Sequence, residues 1–117
     1  MNLNLEAHDK KVEKILNNPK EVQKKIGSEM AKMLKKRFNQ LQASNNFKEY
    51  VDIGIGKPHP LLGELSKCYG IHLTKNYRLI VEPLTESLDI ESLKKCQNIN
   101  IKGVLDYHAG KYEWIIP

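Results

Sequence analysis

Tyr69-Gly70-Ile71-His72-Leu73-Thr74, then Lys75-Asn76, then Tyr77-Arg78-Leu79-Ile80-Val81-Glu82 is the stretch that decides the fold. Two apolar runs separated by two residues predict a β-hairpin. Side chains alternate along a strand, so Arg78 and Ile80 share one face, and Tyr77, Leu79 and Val81 the other. A tight turn near Lys75-Asn76 makes His72 and Arg78 neighbours across the pair. Further on, Ile99 to Tyr107 alternates as a strand does, Ala109-Gly110 turns the chain, and Tyr112–Ile116 reads as a last strand or a tail. Asp106 and His108 fall on one face of their strand.

Working back from the hairpin, Ser44 to Gly63 reads as loop. Gly54, Gly56, Pro58, Pro60 and Gly63 punctuate it, and two prolines stiffen the backbone around His59. Before it lies the clearest periodic element. Val22, Ile26, Met30, Met33, Leu34, Phe38 and Leu41 recur at three- and four-residue steps, with Lys24, Lys25, Lys32, Lys35 and Lys36 largely off that stripe. The spacing predicts one helix from Pro19 to about Ala43, roughly 37 Å long at about 1.5 Å per residue. Gly27 weakens it locally by about 1 kcal/mol relative to Ala. Asn18 and Glu21 resemble a capping box, with Pro19 at the first helical position. Asp9 caps a shorter helix carrying Val12, Ile15 and Leu16, and the two helices form an antiparallel hairpin. Residues 2–6 alternate polar and apolar as a short strand does. Pro83 to Asn98 reads as a polar loop or a short helix around Glu91–Lys95. The order is strand, two helices, long loop, then three or four mostly antiparallel strands. That is an α+β sheet with helices packed on one face.

At 117 residues, 40% of them hydrophobic, the chain is one domain with one modest core. It has no apolar run of about 18 residues, so no transmembrane helix is expected. Its first residues lack the basic and apolar regions of a secretory signal. The two cysteines, Cys68 and Cys96, show no CxxC spacing, which suits a reducing compartment. The net charge of +5 is uneven. Residues 10–37 hold ten Lys/Arg against three acids. Such a face attracts nucleic acid or an acidic protein, or is simply a solvated helix surface.

The chain lacks the paired carboxylates, glycine-rich phosphate loop and metal spacing of other common enzyme types. His59, His72 and His108 match no zinc-site spacing. Nothing around Cys68 marks a thiol enzyme. No metal or cofactor is expected. What remains suits a phosphate backbone. Arg78 offers a rigid fork that binds phosphate bidentately, unless it pairs with Glu64 or Glu82. His108, at the end of Asp106-Tyr107-His108, is a proton donor or acceptor near neutral pH. Tyr107 can stack on a base or donate to a phosphate. Lys57, Lys67 and Lys75 add positive charge in nearby loops.

Taken together, Lys57-Pro58-His59-Pro60-Leu61-Leu62-Gly63-Glu64-Leu65, the Tyr69–Leu79 hairpin and Val104-Leu105-Asp106-Tyr107-His108 resemble the RelE/ParE superfamily of type II toxin–antitoxin toxins. Within it they resemble the HigB-like branch, the plasmid-maintenance killer proteins. Two departures stand out: His72 occupies a position where that family often has Arg, and Pro83–Asn98 is longer than its usual turn.

The resemblance implies a small RelE-like fold and a cytoplasmic toxin that cleaves mRNA in the ribosomal A site. The ribose 2′-OH attacks the adjacent phosphorus and leaves a 2′,3′-cyclic phosphate. It implies Arg78 as phosphate stabiliser, helped by Lys57 and Lys67, and His108 as the main proton-transfer residue, oriented by Asp106. His59 and His72 are candidates for the second proton role, and Tyr107 for stacking. This assignment requires the Arg78 guanidinium and the His108 imidazole to share one cleft. It also implies a HigA-like, helix-turn-helix antitoxin as partner. A toxin that poisons DNA gyrase by binding, as the ParE branch does, is the alternative. A DNA-binding regulator ranks last, because the chain has no helix-turn-helix signature.

Overall fold

A computed structural model describes residues 2–117. In chain order the elements are β1 (Asn4–Ala7), α1 (Lys10–Leu16), α2 (Pro19–Ile26), α3 (Ser28–Gln42), α4 (Phe47–Ile53) and β2 (His59–Pro60). They continue with a single 3-10 turn (Gly63–Leu65), β3 (Tyr69–His72), β4 (Tyr77–Pro83), α5 (Ile90–Lys95), β5 (Asn98–His108) and β6 (Lys111–Ile116). The strands form one sheet in the order β1-β5-β4-β3-β2. β6 also pairs with β5, beyond the short stretch that β1 occupies. Only the β1–β5 pair is parallel. The fold is α+β, as the sequence predicts. No helix among the described residues is long and apolar enough to cross a membrane.

One face of the sheet carries the core. All five helices contribute to it, through Val12, Val22, Ile26, Met30, Leu34, Leu41, Phe47, Tyr50 and Leu93. The sheet answers with Ile71, Leu79, Val81, Ile99, Ile101, Val104 and Ile116. The opposite face holds only a small cluster, Cys68, Ile80 and Leu105, with Leu61, Leu65 and Tyr107 against it. A sheet needs cover on one face only when its strands alternate apolar and polar. The second face is therefore free to display polar groups.

Two sequence expectations change, and a third, the short helix around Glu91–Lys95, is met. The long helix is broken at Gly27, whose φ of 84° and ψ of 162° end α2 and start α3. A residue with a Cβ resists that conformation, and glycine adopts it readily. The apolar stripe survives the break because Ile26 and Met30 are buried on either side. The long loop contains α4, capped by Asn46, whose side chain accepts a hydrogen bond from the Glu49 N–H at 2.9 Å. It also contains β2, which pairs His59 with Gly70 and Pro60 with Tyr69. The Pro83–Asn98 segment holds α5, capped by Asp89, and sends Leu93 and Cys96 into the core. That segment is thus part of the packing.

A close approach fixes the far end of the sheet. A Cβ on Gly103 would lie 1.9 Å from the Ile116 carbonyl oxygen. Only a bare backbone lets β6 close over β5 there and bury Ile116.

Candidate functional site

The β3–β4 register places His72 directly opposite Arg78, as expected from the tight turn. The β4–β5 register pairs Arg78 with Leu105 and Tyr77 with Asp106. Leu105 belongs to the small cluster on the face away from the helices, whereas Tyr77 packs against the main core. Alternation then sorts the site residues. Arg78, His72 and Tyr107 stand on the open face. Asp106 and His108 leave from the helix-side face.

That separation corrects the central expectation drawn from the sequence. Arg78 and His108 do not share a cleft. His108 lies at the strand end with about half its side chain exposed, its Nδ1 3.4 Å from Asp106 Oδ1. The two form their own pair beside the Ala109-Gly110 turn. Asp106 therefore does not orient a group toward Arg78. The reason is parity: Tyr107 and His108 are adjacent in a strand, so only one of them reaches the open face.

A different imidazole pair takes that place. The rings of His59 and His72 lie edge to face, with centroids 5.9 Å apart. His59 sits over Gly70, where an added Cβ would come 3.4 Å from the ring. The His59 Nδ1 faces the Lys57 carbonyl at 3.0 Å. A ring nitrogen beside a carbonyl carries the proton, so Nε2 is the free acceptor of the neutral ring. His72 has its pKa lowered from the ordinary imidazole value, chiefly by burial and then by the positive charge of Arg78. Both causes favour the neutral ring, which can accept a proton.

Arg78 has no carboxylate partner among the described residues. Glu82 lies against Lys102, and Glu64 accepts from the Tyr112 hydroxyl at 3.4 Å. One Arg78 terminal nitrogen donates instead to the carbonyls of Thr74, Lys75 and Tyr77 at 3.1–3.2 Å. This ties the guanidinium to the hairpin turn without neutralising it. Its carbon lies 5.7 Å from the centre of the Tyr107 ring, a cation–π approach. Tyr107 lies beside Tyr112 in turn, with centroids 5.8 Å apart.

His59, His72, Arg78, Tyr107 and Tyr112 thus form a row, one from each of β2, β3, β4, β5 and β6. At about 4.8 Å per strand the row crosses roughly 19 Å of sheet. It lies on open strand surface. A depression of about 700 Å³ lies on the other side, among β1, α1 and α3, and none of these five residues lines it.

Two of the three loop lysines give a backbone group to the row. Lys57 and Lys75 hold the row through their carbonyls, on His59 and Arg78 respectively, and their exposed side chains point to solvent. Lys67 is exposed just before β3. The lysines of α2 and α3 belong to the helix layer, away from the row. No group of three or more His, Cys, Asp or Glu among the described residues is placed to hold a metal ion. Cys68 is buried, and burial raises its thiol pKa.

Sequence reasoning missed Arg37. From α3, its Nε donates to the His72 carbonyl at 3.0 Å, and a second nitrogen donates to Gln40 at 3.0 Å. It pins the end of β3 and so holds His72 in place. Nothing in the local sequence signals a contact between residues 35 apart. Tyr112 was legible only as part of a strand or tail, because its role depends on what β6 lies beside. Comparison with protein-family models, curated proteins and solved structures finds no significant match to this chain.

Proposed function

We propose that this protein is a toxin of a type II toxin–antitoxin system that cuts mRNA on the ribosome. The observation that carries the reading is the row on the open sheet face: two imidazoles, then a guanidinium without a carboxylate partner, then two phenol rings. RNA cleavage by its own 2′-OH needs a base, an acid and a positive charge at phosphorus, and no cofactor. In this reading His72 takes the proton from the 2′-OH. The freed oxygen attacks phosphorus and forms the 2′,3′-cyclic phosphate. Arg78 stabilises the charge on the phosphorane oxygens. Protonated His59 delivers its proton to the departing 5′-oxygen. Tyr107 stacks on the neighbouring base.

His108, on the other face, takes no part in this step. What supports the reading is the His59–His72 imidazole pair on the face that Arg78 occupies. An open row rather than a pocket suits a substrate that another particle holds extended, which lowers the entropic cost of positioning. The resemblance in the loop, hairpin and Asp106-Tyr107-His108 segments supports the same class. The reading carries with it a cytoplasmic location and a cognate helix-turn-helix antitoxin.

The test is incubation of the protein with programmed ribosomes, followed by mapping of mRNA ends. The expected result is a cut at the A-site codon that leaves a cyclic phosphate. Uncut message would overturn the reading. Growth arrest that persists in His72→Ala and Arg78→Ala, with DNA damage, would point instead to a toxin that poisons gyrase by binding.

A further inference from the structure

We propose that Tyr112 and Trp114 form a base-stacking subsite for single-stranded RNA, one strand beyond Tyr107. The proposal rests on the nuclease reading and extends it to nucleotides beside the cut. Three observations support it. First, both residues are exposed despite their size, with Tyr112 43% and Trp114 40% accessible. Two part-exposed aromatic rings on one strand face leave apolar ring surface free for a partner to stack on. Second, they share the face of the row. Tyr112 is opposite Tyr107, and Trp114 is opposite Leu105. Third, the platform continues the charged site. Tyr112 lies 5.8 Å from Tyr107, which lies 5.7 Å from the Arg78 guanidinium. The hydroxyl of Tyr112, held by Glu64 at 3.4 Å, tethers the ring at its far end.

Aromatic rings beside an unneutralised cation suit a chain of planar bases joined by phosphates. An unpaired strand presents those bases, whereas a duplex hides their faces in its own stack. Base–aromatic stacking tolerates any base, so the subsite grips RNA without reading its sequence.

Trp114 is the only tryptophan, so its fluorescence reports the site directly. The experiment titrates the full-length protein with a short oligoadenylate whose 2′-positions are methylated to block cleavage. Binding is also followed by anisotropy of the labelled strand. The expected result is quenching of Trp114 and weak competition by the same strand annealed to oligouridylate. Trp114→Phe retains binding, whereas Trp114→Ala and Tyr112→Ala each weaken it by about tenfold. Circular dichroism checks that the variants fold, and Tyr112→Ala keeps the test alive if Trp114→Ala does not. No quenching, equal binding of the duplex, or unchanged affinity in both alanine variants would overturn the proposal and leave the face to another partner. His72→Ala separates the two readings, because it removes the base and leaves the platform. Aromatic-dependent binding by a wild-type protein that cuts nothing on ribosomes sinks the nuclease reading alone. Wild-type cutting that both alanine variants match sinks the platform alone.

Discussion

Burial and the nearby Arg78 guanidinium both act against a charged imidazole at His72. The His72 ring signal is therefore expected to titrate below 6.5 in an NMR pH series. Arg78→Gln removes the second cause and should move that midpoint upward; a midpoint unchanged in the variant would disconnect the two residues. The sign of the stability effect follows. The unfolded chain takes up this proton first as pH falls. His72 therefore contributes stability above about pH 6.5, lost as pH drops toward the lowered folded value. The same geometry ranks the catalytic variants. His72→Ala should slow ribosomal cleavage by about 10²–10⁴-fold, the usual worth of a proton-transfer group. Arg78→Ala should cost about 10²–10³-fold, as loss of a charge-stabilising donor does. His108→Ala, on the other face, should cost less than about tenfold, since it loses only an exposed pairing with Asp106. End mapping with each variant checks the order, and a His108 effect as large as that of His72 would reverse the assignment. His59, His72, Arg78 and Tyr107 were all legible in the sequence as site candidates, and Tyr112 was not. The face from which His108 leaves was not legible, because it depends on the register between β4 and β5.

At the scale of elements, the hairpin was the most legible feature and α4 the least. The hairpin announces itself through two apolar runs and a short turn, all local. α4 is only seven residues long and sits among glycines and prolines. Its signals were nevertheless present: Asn46 as cap, Glu49 three residues on, and Phe47, Tyr50 and Val51 on one side. Phe47 and Tyr50 are fully buried, and Phe47 meets Tyr69 edge to face at 5.0 Å. The Tyr50 hydroxyl donates to the Ile55 carbonyl at 2.7 Å, and burial raises its pKa to about 12. Phe47→Ala should lower unfolding free energy by about 3–5 kcal/mol, the cost of a large aromatic cavity. Asn46→Ala should cost about 1 kcal/mol, the loss of one cap. Urea unfolding checks both. Equal losses would mean that capping, and not packing, holds α4 in place.

For the molecule as a whole, the row depends on β6 closing against β5. Gly103→Ala would drive a Cβ into the Ile116 carbonyl at a φ of 143°. It should cost about 2–4 kcal/mol, the combined worth of backbone strain and overpacking. Because Ile116 packs in the main core while Tyr112 and Trp114 stand on the other face, the loss should come with a change in Trp114 fluorescence. Chemical unfolding and the emission spectrum test this together, and wild-type stability would show that the strand end adjusts freely.

The amino-acid pattern alone determined the α+β class, the hairpin, the pairing of His72 with Arg78 and the helix stripe. Each of these is written in contacts between residues close along the chain, where period and turn chemistry act directly. Tertiary structure decided that His59 joins His72 while His108 leaves from the other face, which lysines reach the row through their carbonyls, and that Arg37 holds the end of β3. Those outcomes depend on how distant strands are registered. A shift of one residue in register moves a side chain to the opposite face, and local sequence carries no record of that choice.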